Sequence, residues 1–416
     1  MPASEVRDPA LAPQGETKIQ WAQRHMKLLA TIAERFARER PLAGFRVALS
    51  IHLEAKTAQL ARTLRAGGAD LHVTGCNPLS TQDDVAAAVA AEGDIPVFAK
   101  HGVDAQEYDR QLAQTLGHKP HLIVDDGGDL VRLLHGDRTD LAVDVLGGSE
   151  ETTTGVRRLQ ALSRQGTLKF PMFAVNDALT KHLFDNRYGT GQSVWDGIMR
   201  TTNLTIAGRS VVVAGYGWCG RGVATRAHGL GANVIVTEVE PVRAIEALMD
   251  GYRVMGMAEA APLGDVFVTT TGCKDVIARD HLERMRDGAI LANAGHFDVE
   301  INKDDLAALA AERYDIRPNV EAFRLANGNE LYLLADGRLV NLASGDGHPV
   351  EIMDMSFALQ ALTLEHLARH PDDYEPGVYP VPAEIDRHVA EMELEAVGVH
   401  IDSLSEDQVA YLENAG

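Results

Sequence analysis

Hydrophobic runs of strand length alternate with helical periodicity in the first part of the chain. An amphipathic pattern from about Lys18 to Arg38 predicts the first helix. Strand-like runs follow at 45–51, 69–75, 94–99 and 121–126, with helical spacing between them at 53–66 and 81–92. Alternation of this kind predicts a parallel sheet with helices on both of its faces.

A second alternating series begins further along the chain, after a helical stretch from roughly Thr180 to Thr201. Its strand-like runs lie at 210–217, 233–238, 265–272 and 288–296. Residues 317–343 are predicted to form hairpins with turns at Asn327-Gly328 and Asp336-Gly337. The segment from Val350 to His370 has helical spacing again, and the residues beyond Pro382 are rich in Glu and Ala.

The two series predict an α/β protein, and its 416 residues are too many for one ordinary core. We expect two doubly wound parallel-sheet (Rossmann-like) domains separated by a cleft, plus a small helical C-terminal segment. The first domain is discontinuous and comprises 1–186 and 350–381. The inserted second domain spans 187–349, and the C-terminal segment spans 382–416.

Polar residues cluster directly after several of the predicted strands. They are His52, Cys76, Asp125 with Asp126, and Asn176 with Asp177. In open parallel sheets, ligands bind outside the carboxyl ends of the strands. These positions are therefore better site candidates than polar residues in the middle of helices.

Composition and charge exclude several classes of partner. The formal charge is −21, with 60 acidic against 39 basic residues, which argues against nucleic acid and anionic membranes. No apolar run approaches the roughly 20 residues of a membrane span, and the polar N-terminus lacks a signal-peptide core. Three widely spaced cysteines predict a reduced compartment and no cysteine metal knuckle. We expect a cytoplasmic protein without a metal site.

The sharpest local motif is VVVAGYGWCGRG at 211–222, in which a buried strand leads into Gly215-x-Gly217-x-x-Gly220. Gly215 permits a tight turn, Gly217 lets the backbone approach a pyrophosphate, and Gly220 lets the helix pack on its strand. Glu238 ends the next strand, where an acid binds the hydroxyls of an adenosine ribose. The motif predicts a dinucleotide cofactor, and the acid favours NAD over NADP.

Several strings together resemble the S-adenosylhomocysteine hydrolase (adenosylhomocysteinase) family, in its archaeal and bacterial short-tailed variant. The resemblance runs from about Lys18 to the last residues. The strings are SIHLEAKTA (50–58), VDDGGDL (124–130), GSEETTTGV (148–156), VNDALTKHLFDNRYG (175–189), TTTGC (269–273), NAGHFDVEI (293–301) and GRLVNLASGDGHP (337–349). It implies an enzyme of the methyl cycle that hydrolyses S-adenosyl-L-homocysteine reversibly to adenosine and L-homocysteine, with NAD oxidising C3′ and being restored at the end.

The resemblance also implies which residues form the site. The catalytic set is His52, Asp126, Lys181, Asp185 and His296. Substrate-binding residues are Glu54, Lys56, Thr57, Glu151, Asn176 and His348. Cofactor contacts are Thr152, Thr153, Thr154, Asn186, Gly215, Gly217, Gly220, Glu238, Thr270 and Asn341. Lys181 and Asp185 would share one helix face by their spacing, and Lys181 acts as a base only if its pKa is lowered.

Departures from the family pattern keep alternatives open. Glu54 and Lys56 stand where many members carry threonine and glutamate near the adenine, so an S-inosyl-L-homocysteine hydrolase is the alternative substrate assignment. Asp346 replaces methionine, Thr190 replaces cysteine, and longer relatives continue beyond QVAYLENAG into a basic tail. A net dehydrogenase and a silent regulatory homologue are further alternatives, and the family implies a homotetramer with hinge closure.

Overall fold

The computed structural model describes residues 3–414, so residues 1–2 and 415–416 of the predicted terminal segments lie outside the described chain. The strands of the first part are β1 (Glu5–Val6), β2 (Arg46–Ser50), β3 (Asp70–Thr74), β4 (Phe98–Ala99), β5 (Leu122–Asp125), β6 (Gly147–Glu150) and β7 (Met172–Ala174). Its helices are α1 (Ala12–His25), α2 (Lys27–Glu39), α3 (Ala55–Ala66), α4 (Asp83–Ala91), α5 (Ala105–Thr115), α6 (Asp129–His135), α7 (Thr153–Arg164), α8 (Leu179–Lys181) and α9 (Thr190–Thr202).

The middle of the chain contributes β8 (Ser210–Ala214), β9 (Asn233–Thr237), β10 (Arg253–Val254), β11 (Val266–Thr269), β12 (Ala289–Asn293), β13 (Ala310–Arg317), β14 (Val320–Leu325) and β15 (Glu330–Leu334). Its helices are α10 (Trp218–Gly229), α11 (Pro241–Met249), α12 (Met257–Ala260), α13 (Arg279–Leu282), α14 (Lys303–Leu309) and α15 (Val340–Ala343). The last elements are α16 (Val350–Arg369), β16 (Val378–Pro380), α17 (Ala383–Ala396) and α18 (Glu406–Glu413).

One sheet has the strand order β16-β7-β6-β5-β2-β3, and each neighbouring pair is parallel. Buried side chains of β2, β3 and β5 pack against flanking helices, including α3 and α16. Strand β6 was not predicted, because its sequence GGSE contains no hydrophobic residue. A Cβ on Gly148 would lie 2.4 Å from the Ile123 side chain, so the close packing of this central strand requires glycine.

A second sheet has the order β10-β9-β8-β11-β12-β15-β14-β13, and β1 and β4 form a separate two-stranded parallel sheet. The second sheet is parallel from β10 to β15 and ends in the antiparallel strands β14 and β13. The hairpin turn at Asn327-Gly328 is confirmed, since Gly328 has a φ of +91° and its N–H donates to Leu325. The second predicted hairpin turn at Asp336-Gly337 was wrong. A short 3-10 helix occupies Ala335–Gly337, and the chain continues into α15. The predicted α/β fold with doubly wound sheets is confirmed, with this antiparallel edge as an addition.

The predicted single N-terminal helix is two helices, α1 and α2, which meet at Met26. Both carboxylate oxygens of Asp354 on α16 accept hydrogen bonds from the backbone N–H groups of Leu28 and Leu29. This carboxylate satisfies the N–H groups that a helix start leaves unpaired. The break therefore depends on a residue 326 positions away, which local periodicity does not reveal.

A helical segment links the first sheet to the second where the chain first crosses between them. It consists of α8, a π-helix at His182–Gly189 and α9. π-Helical turns are rare and occur often at functional sites. The chain returns to the first sheet through α16, which is buried along most of its length. Within residues 3–414, no helix is both long and apolar enough to cross a membrane.

Candidate active site

A small cavity of about 130 Å³ lies between the carboxyl ends of the first sheet, the π-helix and the second sheet. Many of the residues predicted to form the site line it. They are His52, Glu54, Lys56, Thr57, Asp126, Glu151, Thr152, Thr153, Lys181, Asp185, Asn186, His296, Asn341 and His348. Because these side chains come from both halves of the fold, the cavity exists only where the two sheets approach each other.

Lys181 is buried among carboxylates. Its Nζ lies 3.2 Å from Asp185 Oδ1 and 3.3 Å from Glu151 Oε1, and it donates to Asn186 Oδ1 at 2.9 Å. Burial alone would lower the pKa of Lys181, but the charges of Asp185, Glu151 and Asp126 outweigh burial and raise it. Lys181 is therefore an ammonium group in this arrangement. Its pKa is not lowered, as it would have to be for Lys181 to act as a free amine base.

The two carboxyl groups beside Lys181 have opposite protonation preferences. Burial would raise the pKa of Asp185, but the charges of Lys181 and His348, with hydrogen bonds from His348 and Ser356, lower it. The Ser356 hydroxyl lies 2.7 Å from Asp185 Oδ2. Burial raises the pKa of Glu151 to about 8, although Lys181 opposes the rise. Glu151 is thus the carboxyl group of this cluster that exchanges a proton nearest to neutral pH.

Asp126 lies across the cavity between two histidines. Its carboxylate is 3.6 Å from His52 Nε2 and 3.8 Å from His296 Nδ1, and it accepts from the Cys76 thiol at 3.3 Å. Burial raises the pKa of Asp126, lowers that of His52 to about 3 and lowers that of His296. Both imidazoles are therefore neutral at neutral pH. The ligand atoms of His52, Asp126 and His296 lie within 4.8 Å of one another, which also suits a transition-metal ion.

A second lysine–carboxylate pair lies at another wall of the cavity. Lys56 Nζ is 2.8 Å from Glu54 Oε2 and donates to the Asp346 carbonyl at 2.9 Å. Glu54 also caps α3, because its carboxylate accepts from the Lys56 backbone N–H. The Thr57 hydroxyl donates to the His52 carbonyl at 2.5 Å and links this wall to the histidine. The pair offers an acceptor and a donor side by side.

The glycine motif of β8–α10 has the shape that a dinucleotide needs. Gly215 has a φ of +99°, and a Cβ on Gly220 would lie 2.0 Å from the Gly215 carbonyl oxygen. Of the residues that the structure places, a Cβ on Gly217 would meet only the Arg243 guanidinium, at 3.6 Å, so this surface is open for a phosphate. Glu238 is oriented beside the motif by the Tyr216 N–H, at 2.7 Å.

Asn341 in the cavity lining offers a polar group that suits a nicotinamide carboxamide. Asn341 donates to the Ser193 hydroxyl at 3.1 Å. Among the residues that the structure describes, the buried Asn341 Oδ1 has no hydrogen-bond partner. A buried carbonyl oxygen without a donor is costly, and a carboxamide N–H would satisfy it. The residues present therefore fit NAD.

Several predicted residues lie outside the cavity lining. The Asn176 amide oxygen accepts from Asn186 at 3.0 Å and from Thr153 at 3.2 Å, so Asn176 supports the wall from behind. Thr270 lies at the glycine motif, where its hydroxyl donates to the Ala214 carbonyl at 2.8 Å. Thr154 lies on α7, close to Gly272 of the second sheet's loops. The predicted residues that do not line the cavity are Thr154, Asn176, Gly215, Gly217, Gly220, Glu238 and Thr270.

Sequence reasoning missed residues that hold the predicted ones in place. Gln360 on α16 donates to Glu151 Oε2 at 2.5 Å, and Ser356 lies one turn earlier on the same helix. The i, i+4 spacing of these two polar residues within the otherwise apolar stretch 355–362 was the available signal. Glu150, next to Glu151, is fully buried and binds the backbone of two site loops. Nothing in its motif distinguished it from its neighbour.

The comparisons with known families and proteins all match one family. Residues 186–347 match the family model described as "S-adenosyl-L-homocysteine hydrolase, NAD binding domain", and residues 3–143 match the model described as "S-adenosyl-L-homocysteine hydrolase". The S-inosyl-L-homocysteine hydrolase of Methanocaldococcus jannaschii is 58% identical over 410 residues, which cover 99% of this chain and 98% of the relative.

Of two further relatives, one has the same name and the other a different one. The S-inosyl-L-homocysteine hydrolase of Methanopyrus kandleri is 56% identical over 410 residues, covering 98% of this chain and 96% of the relative. The adenosylhomocysteinase of Thermococcus kodakarensis is 55% identical over 409 residues, covering 98% of this chain and 97% of the relative. Overall sequence identity therefore does not decide whether the substrate of this chain carries adenine or hypoxanthine.

Proposed function

The chain belongs to the S-adenosyl-L-homocysteine hydrolase family and uses NAD as its cofactor, and from this premise we propose that it hydrolyses S-adenosyl-L-homocysteine reversibly to adenosine and L-homocysteine. The observation that carries the proposal is the placement of Lys181, Asp185 and Glu151 opposite Asp126 in one buried cavity. An ordinary hydride transfer needs one acid–base group. A second set across the cavity suits a reaction that also removes and returns a proton on a neighbouring carbon.

NAD, when bound, supplies the oxidant for C3′ of the ribose and the hydride that restores it. Lys181 and Asp185 hold the 3′-hydroxyl and its proton. Because Lys181 is an ammonium group, it accepts that proton only after its own has moved to a carboxylate. Glu151, with a pKa of about 8, can take it once it is itself a carboxylate, which it becomes as the pH rises through that value.

Asp126 is assigned to the proton on C4′. Burial raises the pKa of its carboxyl group, so it accepts a proton more readily than an exposed aspartate does. His52 and His296 are neutral and flank Asp126, where they assist departure of the thiol and entry of water. All three side chains are buried or nearly so, which keeps bulk water from the reactive ketone.

Glu54 and Lys56 are assigned to the purine. Adenine offers an N6 amine to the Glu54 carboxylate and an N1 acceptor to the Lys56 ammonium. Hypoxanthine offers the reverse order, with an N1–H for the carboxylate and an O6 for the ammonium. S-Inosyl-L-homocysteine is therefore the second candidate substrate, because Lys56 Nζ lies within 3 Å of the Glu54 carboxylate and the pair also fits this reversed order.

We also propose the cofactor contacts named above, the domain division at about residues 186 and 350, and hinge closure at these two crossings. Separate hydrophobic clusters in the two sheets support the division. We propose a homotetramer, and the apolar side chains exposed beyond α17, including Ile401, Leu404 and Leu412, support association between subunits. Light scattering during gel filtration tests that assembly. The unpaired cysteines of residues 3–414 support a cytoplasmic location, which fractionation of the source cells tests.

The test uses the purified protein without added cofactor. It is incubated separately with S-adenosyl-L-homocysteine and S-inosyl-L-homocysteine, and free thiol and NADH are followed. Repeated thiol release from the adenosyl compound without accumulating NADH is the expected result. Release from the inosyl compound alone would favour the second candidate. Silence with both compounds, persisting after NAD is added, would contradict the hydrolase assignment.

A further inference from the structure

The backbone of Gly127, directly after Asp126, is held on both sides of its Cα. Its N–H donates to Glu150 Oε1 at 2.8 Å, and its carbonyl accepts from Arg158 Nη1 at 2.7 Å. Gly127 has a φ of +99°, in the left-handed region that favours glycine. Two side chains, one from β6 and one from α7, therefore fix the turn that aims the Asp126 carboxylate into the cavity.

Arg158 also reaches the other half of the molecule. Its guanidinium carbon lies 4.4 Å from the centre of the Phe297 ring, which belongs to the loop after β12. This distance is typical of a cation–π contact. A Cβ on Gly127 would lie 2.3 Å from His296 Nε2, so the Asp126 turn and the His296–Phe297 loop touch directly. One contact between the two halves thus runs through the residues that surround Asp126.

We propose that Arg158 is a positioning residue that couples approach of the Phe297 loop to the placement of Asp126. One planar guanidinium group binds the Gly127 carbonyl, makes a 3.0 Å contact with Asp129 and faces the Phe297 ring. When the cleft opens, Phe297 leaves this group and the Asp126 turn loses part of its restraint. The inference deepens the proposed hydrolase reaction and rests on it for its kinetic consequence.

Lysine cannot replace arginine in this role. An ammonium group is a point donor, whereas the guanidinium plane combines directed N–H groups with a face that stacks on an aromatic ring. The side chain of Arg158 is 40% exposed, and Asp129 also accepts from the Tyr108 hydroxyl at 3.0 Å. Removing the guanidinium group therefore leaves Asp129 with a partner, and we expect the Arg158 variants to fold.

The experiment compares Arg158→Met and Arg158→Lys with Arg164→Met, whose exposed arginine lies at the end of the same helix α7. All are purified as holoenzymes. Thiol release gives kcat and KM, and hydrogen exchange followed by mass spectrometry reports on residues 126–131 and 295–299. We expect kcat to fall roughly tenfold to a hundredfold in both Arg158 variants, since displacing a reacting group by about 1 Å has effects of that size. KM should stay near the wild-type value.

Exchange in both segments should increase together in the Arg158 variants and stay unchanged in Arg164→Met. A Phe297→Leu variant should lower kcat as well, and the double variant should lose less than the product of the two single effects. Faster exchange in 126–131 alone would overturn the coupling, as would an unchanged kcat. If the wild type released no thiol, the proposed function would fail, while joint exchange of the two segments would still support the physical link.

Discussion

Two lysine–carboxylate pairs are buried in the same cavity, and their surroundings differ. Lys181 lies within 3.3 Å of two carboxylates and comes from the helical segment that joins the two sheets. Lys56 lies beside one carboxylate and a backbone carbonyl, on a helix of the first sheet. The first arrangement stores a proton close to several acceptors. The second presents a fixed donor and acceptor to a flat polar edge. The same two residue types thus serve proton transfer in one place and recognition in the other.

The largest expected effect comes from breaking the Lys181 pair. Lys181→Met should lower kcat by about 10³-fold, because acid–base groups contribute factors of this order. It should also destabilise the fold by roughly 3–5 kcal/mol, since it leaves buried carboxylates without their counter-ion. Steady-state thiol release and chemical denaturation measure the two effects. Arg200→Met, at an exposed ion pair, is the control and should change neither by much; equal losses in both variants would contradict the account.

Breaking the Lys56 pair should change selectivity instead. In Glu54→Gln the side chain keeps its size but can donate as well as accept, and we expect kcat/KM to fall by about tenfold to a hundredfold. The loss should differ between the adenosyl and inosyl substrates, because their edges present donors and acceptors in opposite order. Parallel assays on both compounds measure the ratio. If kcat fell as far as in the Lys181 variant, with an unchanged substrate ratio, the assignment to recognition would be wrong.

The pH dependence of the reaction should separate the two pairs. Burial raises the pKa of Glu151 to about 8, so this group becomes a carboxylate only as the pH rises through that value. We therefore expect kcat to rise with pH up to a plateau above about 8 in the wild type. The rising limb should disappear in Glu151→Gln and persist in Glu54→Gln. A limb that survives in Glu151→Gln would assign it to another group.

The last effect concerns stability and a stacked pair of histidine rings. His72 and His118 stack with ring centres 3.7 Å apart. Burial, with the neighbouring His72, lowers the pKa of His118 to about 4 from 6.5. The neutral form is favoured in the fold, so its stabilisation is complete above pH 6.5 and is lost as the pH falls towards 4. The free energy of unfolding should fall by up to about 3 kcal/mol over this range, and by less in His118→Gln. An equal fall in that variant would exclude His118 as the cause.

The fold and much of the site could be predicted from the sequence because the signals are local. The Gly215 motif and the polar residues after strands predict where a parallel sheet binds ligands, and Lys181 and Asp185 belong to one contiguous motif. The protonation state of Lys181 could not be predicted, because it depends also on Glu151 and Asp126, which follow β6 and β5.

Other features depend on contacts between distant segments. The break at Met26 needs Asp354, and the glycine-rich strand β6 is defined by its neighbours rather than by its own residues. The contact of Arg158 with Phe297 joins two halves of the chain whose motifs give no sign of each other. The periodicity of hydrophobic residues shows which face of a single helix or strand is buried. It does not show which other element packs against that face, and these features depend on that packing.

The division of labour between Lys181 with Asp185 and Asp126 is tested most directly by a partial reaction. Asp126→Asn holoenzyme is mixed with S-adenosyl-L-homocysteine, and the absorbance of reduced nicotinamide and free thiol are recorded together. The account predicts that the bound cofactor becomes reduced while almost no thiol is released, and that Lys181→Met shows neither signal. Thiol release by Asp126→Asn at the wild-type rate would contradict the assignment of Asp126 to the C4′ proton and, with it, the proposed mechanism.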